Sequence, residues 1–321
     1  PSRGLGDVYK RQDLWRQQGN EGWSYEDVLP YFKKAENFHG DGDEEFHGYD
    51  GPLHVKKSNR QDDLLLDKFI EAGQQAGFPY TRDFNGAQQE GFSRYEHTIN
   101  DTPRGPRRWS SARAYLHPAL DRKNLSNETN VTVDKLIFDG KKAKGIEYVN
   151  EKGVRTKCFV NDEVILSAGA LSSPQILMRS GIGDSNEITK HGIDMVHELK
   201  GVGKNLQDHY GVTCSFYATK PVTLHRSASW LKTQIAGVKY LLLGTGDAAY
   251  PPCSGGAFFK SSPDKDLPDT QLHYVSFQSP DQHFREGVTL EHGFSSIAYI
   301  CRPQSRGCLL YTSDAADDDT R

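Results

Sequence analysis

The sequence predicts a mixed fold in two parts: an α/β part that carries a β-meander, then an α+β part of helices with an antiparallel sheet. Three observations lead there. Helical apolar stripes fill the stretch up to Gly77, the period changes to strand-like alternation at Val131, and after His209 short strand-like pieces flank one helical segment.

The elements follow in order. Ser24 with Glu26 and Asp27 reads as an N-cap with negative charge in the first turn, and Val28, Leu29, Phe32 and Ala35 continue as a helical stripe that Pro30 can bend. Phe38–Gly51 is rich in Gly, Asp and His and reads as a surface loop, with His39 and His47 solvated rather than clustered on a metal. A second helix is expected over Asp63–Gly77, with Leu66, Phe69, Ile70 and Gly73 on its core face and Gly77-Phe78-Pro79 as its stop. Val131–Phe138, Ala143–Val149 and Val154–Val160 read as the strands of a meander, the first two joined at a hairpin signal, Asp139-Gly140.

Glu163–Ser167 reads as a short strand suited to burial on both faces. It runs into Ala168-Gly169-Ala170-Leu171-Ser172-Ser173-Pro174, where Ser173 is expected to cap a helix that has Pro174 at its first position and ends at Gly181. A strand that turns through glycine into a capped helix places free backbone N–H groups at the carboxyl end of a sheet. Dinucleotide phosphates are received there, although many α/β folds make the same turn with no ligand. Beyond His209, Val212–Ala218, Gly256–Lys260, Gln271–Phe277 and Ser295–Arg302 are the expected strands and Trp230–Leu243 the expected helix. The Tyr250–Gly256 loop reads equally as a pocket wall or as a rigid turn.

Composition excludes several classes of partner. The 39 Lys and Arg against 43 Asp and Glu are interspersed and leave a net charge of −4, so there is no electrostatic footprint for nucleic acid or an anionic membrane. No apolar run approaches the roughly 18 residues of a transmembrane helix. The five cysteines show no CxxC spacing, so neither a zinc site nor a disulfide framework is expected, and no metal is assigned.

Both ends read as foreign to the fold. Asp7–Gln12 can be written in codons whose reverse complement, shifted by one base, encodes Cys308–Ser313. Residues 1–12 and 308–321 are therefore expected to be adapter-derived artefact, which leaves Asp13–Gly307 as the genuine chain.

The stretch Gly169–Gly183 resembles, at every fixed position, the second signature of the glucose–methanol–choline (GMC) family of flavin oxidoreductases. Gly201–His209, Asp13–Trp15 with Gly19–Phe32, Asp50–Leu53, Phe84–Gly86, Ser111–Leu116 and Arg302–Gly307 are similar to family segments as well. The texture of Gln74–Pro79 and Gln88–Phe92 is most similar to the choline and aliphatic alcohol dehydrogenases of that family.

The resemblance implies a Rossmann-like FAD-binding domain with a meander, present in part over 13–210 and lacking GxGxxG, and part of a substrate-binding domain over 211–307. It implies hydride transfer from a primary alcohol, choline or aliphatic, to the flavin, with a histidine helping to take the hydroxyl proton. By resemblance Val133 offers its backbone to the FAD adenine, and Ala168 and Gly169 approach the ADP half, where only small residues fit. Gly181-Ile182-Gly183 ends a helix and is not a phosphate fingerprint. The catalytic pair is expected beyond Gly307, since His209, His273, His283 and His292 do not match it and read as structural. The alternatives are a hydroxynitrile lyase on the same fold, which keeps FAD without redox turnover, and an inactive truncated product. The expected electron acceptor is a quinone or another dye-type acceptor, and the expected location is cytoplasmic or peripheral to a membrane.

Overall fold

The computed structural model of the chain describes residues 8–57, 63–224, 230–278 and 292–309. They fall into two compact units interleaved along the sequence: Pro1–Arg122 with His209–Arg302, and Lys123–Asp208 with Pro303–Arg321. The linear division at 210/211 remains a proposal of domain organisation; one crossing between the units, at Asp208/His209, falls beside it.

The first unit is built on a five-stranded antiparallel sheet. Its spatial order is Gly211–Tyr217, Gly293–Ile300, Thr270–Val275, Cys253–Phe259 and Gly91–Arg94. The helix Leu64–Gln75 covers one face, burying Leu66, Ile70 and Gly73, with Phe69 packed beside them, against Phe92, Ala257 and Tyr274. A Cβ on Gly73 would stand 2.6 Å from the Phe92 ring, so the glycine sets how closely helix and strand approach. Asp63 caps this helix and is 2 % exposed. Its carboxylate accepts from Leu66 N–H (3.3 Å), Ser254 Oγ (3.0 Å), Tyr274 OH (3.1 Å) and Ser276 Oγ (2.5 Å), which pins the helix start to two strands. Ser254 lies in the Tyr250–Gly256 stretch, read equally as a pocket wall or a rigid turn, whose second half is the start of the Cys253–Phe259 strand.

The helix Tyr25–Ala35 has the expected N-cap: Ser24 and Asp27 form a reciprocal capping box. The expected solvated loop after it is overturned at both ends. Glu36–His39 is a strand parallel to Leu53–Lys57, and His47 is buried, 1 % exposed, with its Nδ1 2.9 Å from Glu36 and its Nε2 2.8 Å from Asp83. Phe38 stacks on its ring at 3.9 Å. The physical reason is that two carboxylates and an aromatic face compensate the imidazole for lost water, which a composition-based reading cannot see.

The second unit holds the meander: Val131–Asp139, Lys142–Asn150 and Arg155–Phe159 pair antiparallel in that order. Against it packs the helix Gly169–Arg179, and two expectations are corrected here. The helix starts five residues before Pro174, with Ala168 as its N-cap; Ser173 lies inside, its Oγ accepting from Ala168 N–H at 3.0 Å. Glu163–Ser167 forms no ladder with any described strand, and Ile165 is 79 % exposed while Val164 and Leu166 are half-buried. A strand needs neighbours to satisfy its backbone, and none of the described strands flanks this one.

The end segments expected to be adapter-derived fall partly within the described residues. Val8–Gln17 is helical, and Gly307–Cys308 pairs with Lys204–Leu206.

Candidate cofactor site

The three residues that the sequence marks for the cofactor lie in one unit, on the edge strand of the meander and at the start of the helix packed against it. Val133 is half-buried on the Val131–Asp139 strand and faces Tyr148 across the ladder. Directly after it the register shifts, and the residue in the bulge is Asp134. A bulge re-aims a side chain, and here the strand turns Asp134 inward. Its carboxylate is buried, and it accepts from Arg155 Nη1 at 2.5 Å and pairs with Arg179 in the last turn of the helix. Ser180 adds a second tie: its Oγ accepts from Leu136 N–H at 2.8 Å and donates to Ile176 O at 2.5 Å. The helix is thus fastened to the meander by its carboxyl end.

Gly181 follows in the left-handed region at φ +82, and an added Cβ would stand 2.2 Å from Asp194 O. Glycine is required there, as expected of a helix stop. Ile182–Gly183 then pairs parallel with His197–Glu198, so this Gly-Ile-Gly leaves a helix rather than opening one.

At the other end of the helix, Ala168 and Gly169 are both exposed, and Gly169 has φ +89. A Cβ built on Gly169 would meet no atom within 4 Å. The glycine therefore answers to backbone conformation and leaves an open approach, while the first N–H groups of the helix have no partner within it. These residues fit an anionic dinucleotide: small side chains, an open approach, and the positive end of a helix dipole.

The histidines are placed as follows. His209 is exposed, His292 shares a hydrogen bond of 3.1 Å with Thr223 Oγ1, and His283 lies outside the described residues. His273 is half-buried on the sheet face opposite the Leu64–Gln75 helix, 5.4 Å from the ring of Tyr95 and 4.8 Å from that of Tyr299. Burial pushes its pKa down to about 4, so it is neutral. Tyr95 OH donates to Leu272 O at 2.6 Å, Gln271 Nε2 donates to Tyr95 OH at 3.3 Å, and Cys253 packs nearby with its thiol pushed up to about 12 by burial. No group of three or more metal-ligating side chains occurs among the described residues.

Sequence reasoning missed Asp134, Asp63 as a four-donor acceptor, and the His47 trio. Asp134 alone left a signal, a carboxylate set between Val133 and Lys135 in the middle of a strand.

Comparison with known proteins adds an independent line. Residues 7–211 match the sequence profile of the family described as GMC oxidoreductase. The mitochondrial choline dehydrogenase of Mus musculus is 42% identical over 279 residues, 87% of this chain and 45% of that protein. The oxygen-dependent choline dehydrogenase of Escherichia coli (strain SMS-3-5) is 40% identical over 305 residues, 94% of this chain and 53% of that protein. The chain spans about half the length of the curated relatives it matches. Among solved structures, pyridoxine 4-oxidase from Mesorbium loti aligns with TM-score 0.76 at 26% identity, over 96% of this chain and 55% of its own. A formate oxidase of Aspergillus oryzae RIB40 aligns with TM-score 0.80 at 21% identity, over 95% of this chain and 56% of its own. These names are those of dehydrogenases and oxidases, and none supports the lyase alternative.

Proposed function

Because the chain belongs to the GMC oxidoreductase family, whose cofactor is FAD, we propose that it is part of an enzyme that oxidises a primary alcohol, choline or an aliphatic alcohol, with FAD as the hydride acceptor. The observation that carries this reading is the 42% identity to a choline dehydrogenase over 87% of the chain. When bound, the flavin supplies the hydride-accepting chemistry.

The residues of this chain hold and orient. Ala168 and Gly169 receive the ADP half at the helix start, and Val133 offers backbone from the edge strand. Asp134, Arg179 and Ser180 keep that helix in place on the meander. The sheet face that carries Gln271, His273 and Tyr299 is the proposed substrate side, because it sets polar and aromatic groups opposite the face packed on the helix. No described residue is assigned the hydroxyl proton. A quinone or another dye-type acceptor is the proposed oxidant of the reduced flavin.

The test uses the full-length parent protein under anaerobic conditions. Choline and a series of primary alcohols are added in turn, and bleaching of the visible flavin band is followed. Bleaching by at least one of them is expected; a flavin that no alcohol reduces would overturn the reading.

A further inference from the structure

We infer that His39 and His54 form a bidentate site for a first-row transition-metal ion, taken up from solution between two parallel strands. The two residues lie on the neighbouring strands Glu36–His39 and Leu53–Lys57, offset so that Asn37 is the direct partner of His54. That offset brings His39 Nε2 to 2.6 Å from His54 Nδ1, with ring planes only 11° apart. The pair is held from outside as well. Trp109 meets the His54 ring edge-on at 5.1 Å and 87°, and its own indole N–H donates to Pro52 O at 2.8 Å.

Two imidazole nitrogens facing each other can share a proton or share a metal. Metal–nitrogen bonds of about 2.0–2.1 Å put two neighbouring ligand nitrogens about 3 Å apart, so the rings separate by a few tenths of an ångström and each also swings about its side-chain torsions until the lone pair now aimed at the other ring is aimed at the ion. Both rings remain neutral on coordination: the shared proton moves to the distal nitrogen of its own ring, leaving His39 Nδ1–H and His54 Nε2–H, and no net proton is released. No third His, Cys, Asp or Glu completes the set among the described residues, so water fills the other positions. An imidazole-only donor set selects Ni²⁺, Cu²⁺ or Zn²⁺ over Mg²⁺ or Ca²⁺.

Ni²⁺ is the probe of choice, because exposed Cys158, Cys214 and Cys308 would compete for softer ions. The untagged full-length parent protein is titrated with Ni²⁺ by calorimetry, alongside its His39→Asn, His54→Asn and exposed control His209→Asn variants. Each substitution in the pair is expected to weaken binding roughly 10²-fold, the low end of what two linked ligands gain over one, with no change in the control. Paramagnetic broadening of the Trp109 indole N–H resonance, read on the unsubstituted chain, tests placement independently of any variant's folding. Absence of binding, affinity that survives both substitutions, or broadening that spares Trp109 would each overturn the inference.

Discussion

His47 holds its charge because two carboxylates reach it from distant points of the sequence. Burial by itself lowers the pKa of the ring, and the hydrogen bonds to Asp83 and Glu36 more than reverse that, raising it from 6.5 to about 9. A folded-state pKa above the unfolded one gives stability that is complete below about pH 6.5, declines from there, and is lost as pH rises through about 9. Asp83 runs the other way: burial raises its pKa, but the hydrogen bonds with His47 and Asn85 N–H more than offset that and leave it below the usual carboxylate value, so its contribution is lost only as pH falls below that range. His47→Gln is therefore expected to cost about 3 kcal/mol at pH 6 and little above pH 9. Urea midpoints measured across that range would show it, and a cost independent of pH would refute the ion-pair account. At the same scale, Gly169→Ala and Gly153→Ala make a matched pair, because both glycines have positive φ and an added Cβ on either meets no atom within 4 Å. The strain is alike, roughly 1 kcal/mol each, so a selective loss of flavin from Gly169→Ala in the full-length parent reports on cofactor approach. Equal flavin content in both would argue against Gly169 at the ligand. The sequence showed Gly169 through its signature, but it hid His47, whose partner Asp83 is 36 residues away.

At the scale of elements, period carried most of the reading. The helices Leu64–Gln75 and Trp230–Leu243 and the three meander strands follow their apolar patterns, because each is decided by residues three, four or two apart. Where the sequence misled, long-range partners decide. The Ser173-Pro174 signal is a genuine helix-start chemistry, yet Ser173 serves Ala168 N–H from inside the helix. Glu163–Ser167 has the composition of a buried strand and no described neighbour to pair with. The Leu64–Gln75 helix shows how long-range anchoring can be tested. Asp63→Ala removes the acceptor of four donors, three of them side chains on or directly after two strands of the sheet, and is expected to cost roughly 3 kcal/mol. Asp67→Ala removes only a partly exposed pair with Arg94, worth below about 1 kcal/mol. Thermal unfolding of the two variants should separate them clearly; equal losses would mean that Asp63 does not anchor the helix.

At the scale of the whole molecule, the family and its cofactor were legible in one contiguous signature, Gly169–Gly183, whereas the packing that holds that signature in place was not. Asp134, Arg179 and Ser180 act together only after the chain has folded. The chain contains no GxGxxG, so the helix-terminus donors that would grip the pyrophosphate in this family are not within it. Large apolar side chains also stand open: Ile165 and Leu171 around the proposed cofactor helix, Phe159 at the meander edge, and Leu242 on the Trp230–Leu243 helix. Exposed apolar surface on this scale favours association. The expected outcome for the 321-residue chain expressed alone is accordingly a colourless protein that neither retains FAD nor oxidises alcohols and that elutes in part as aggregate. Visible absorbance after purification and size-exclusion chromatography check this directly. A soluble yellow preparation whose flavin band bleaches on adding choline would mean that the Val133, Ala168 and Gly169 surfaces hold the cofactor without a phosphate loop, and that the gripping role assigned to that loop is wrong.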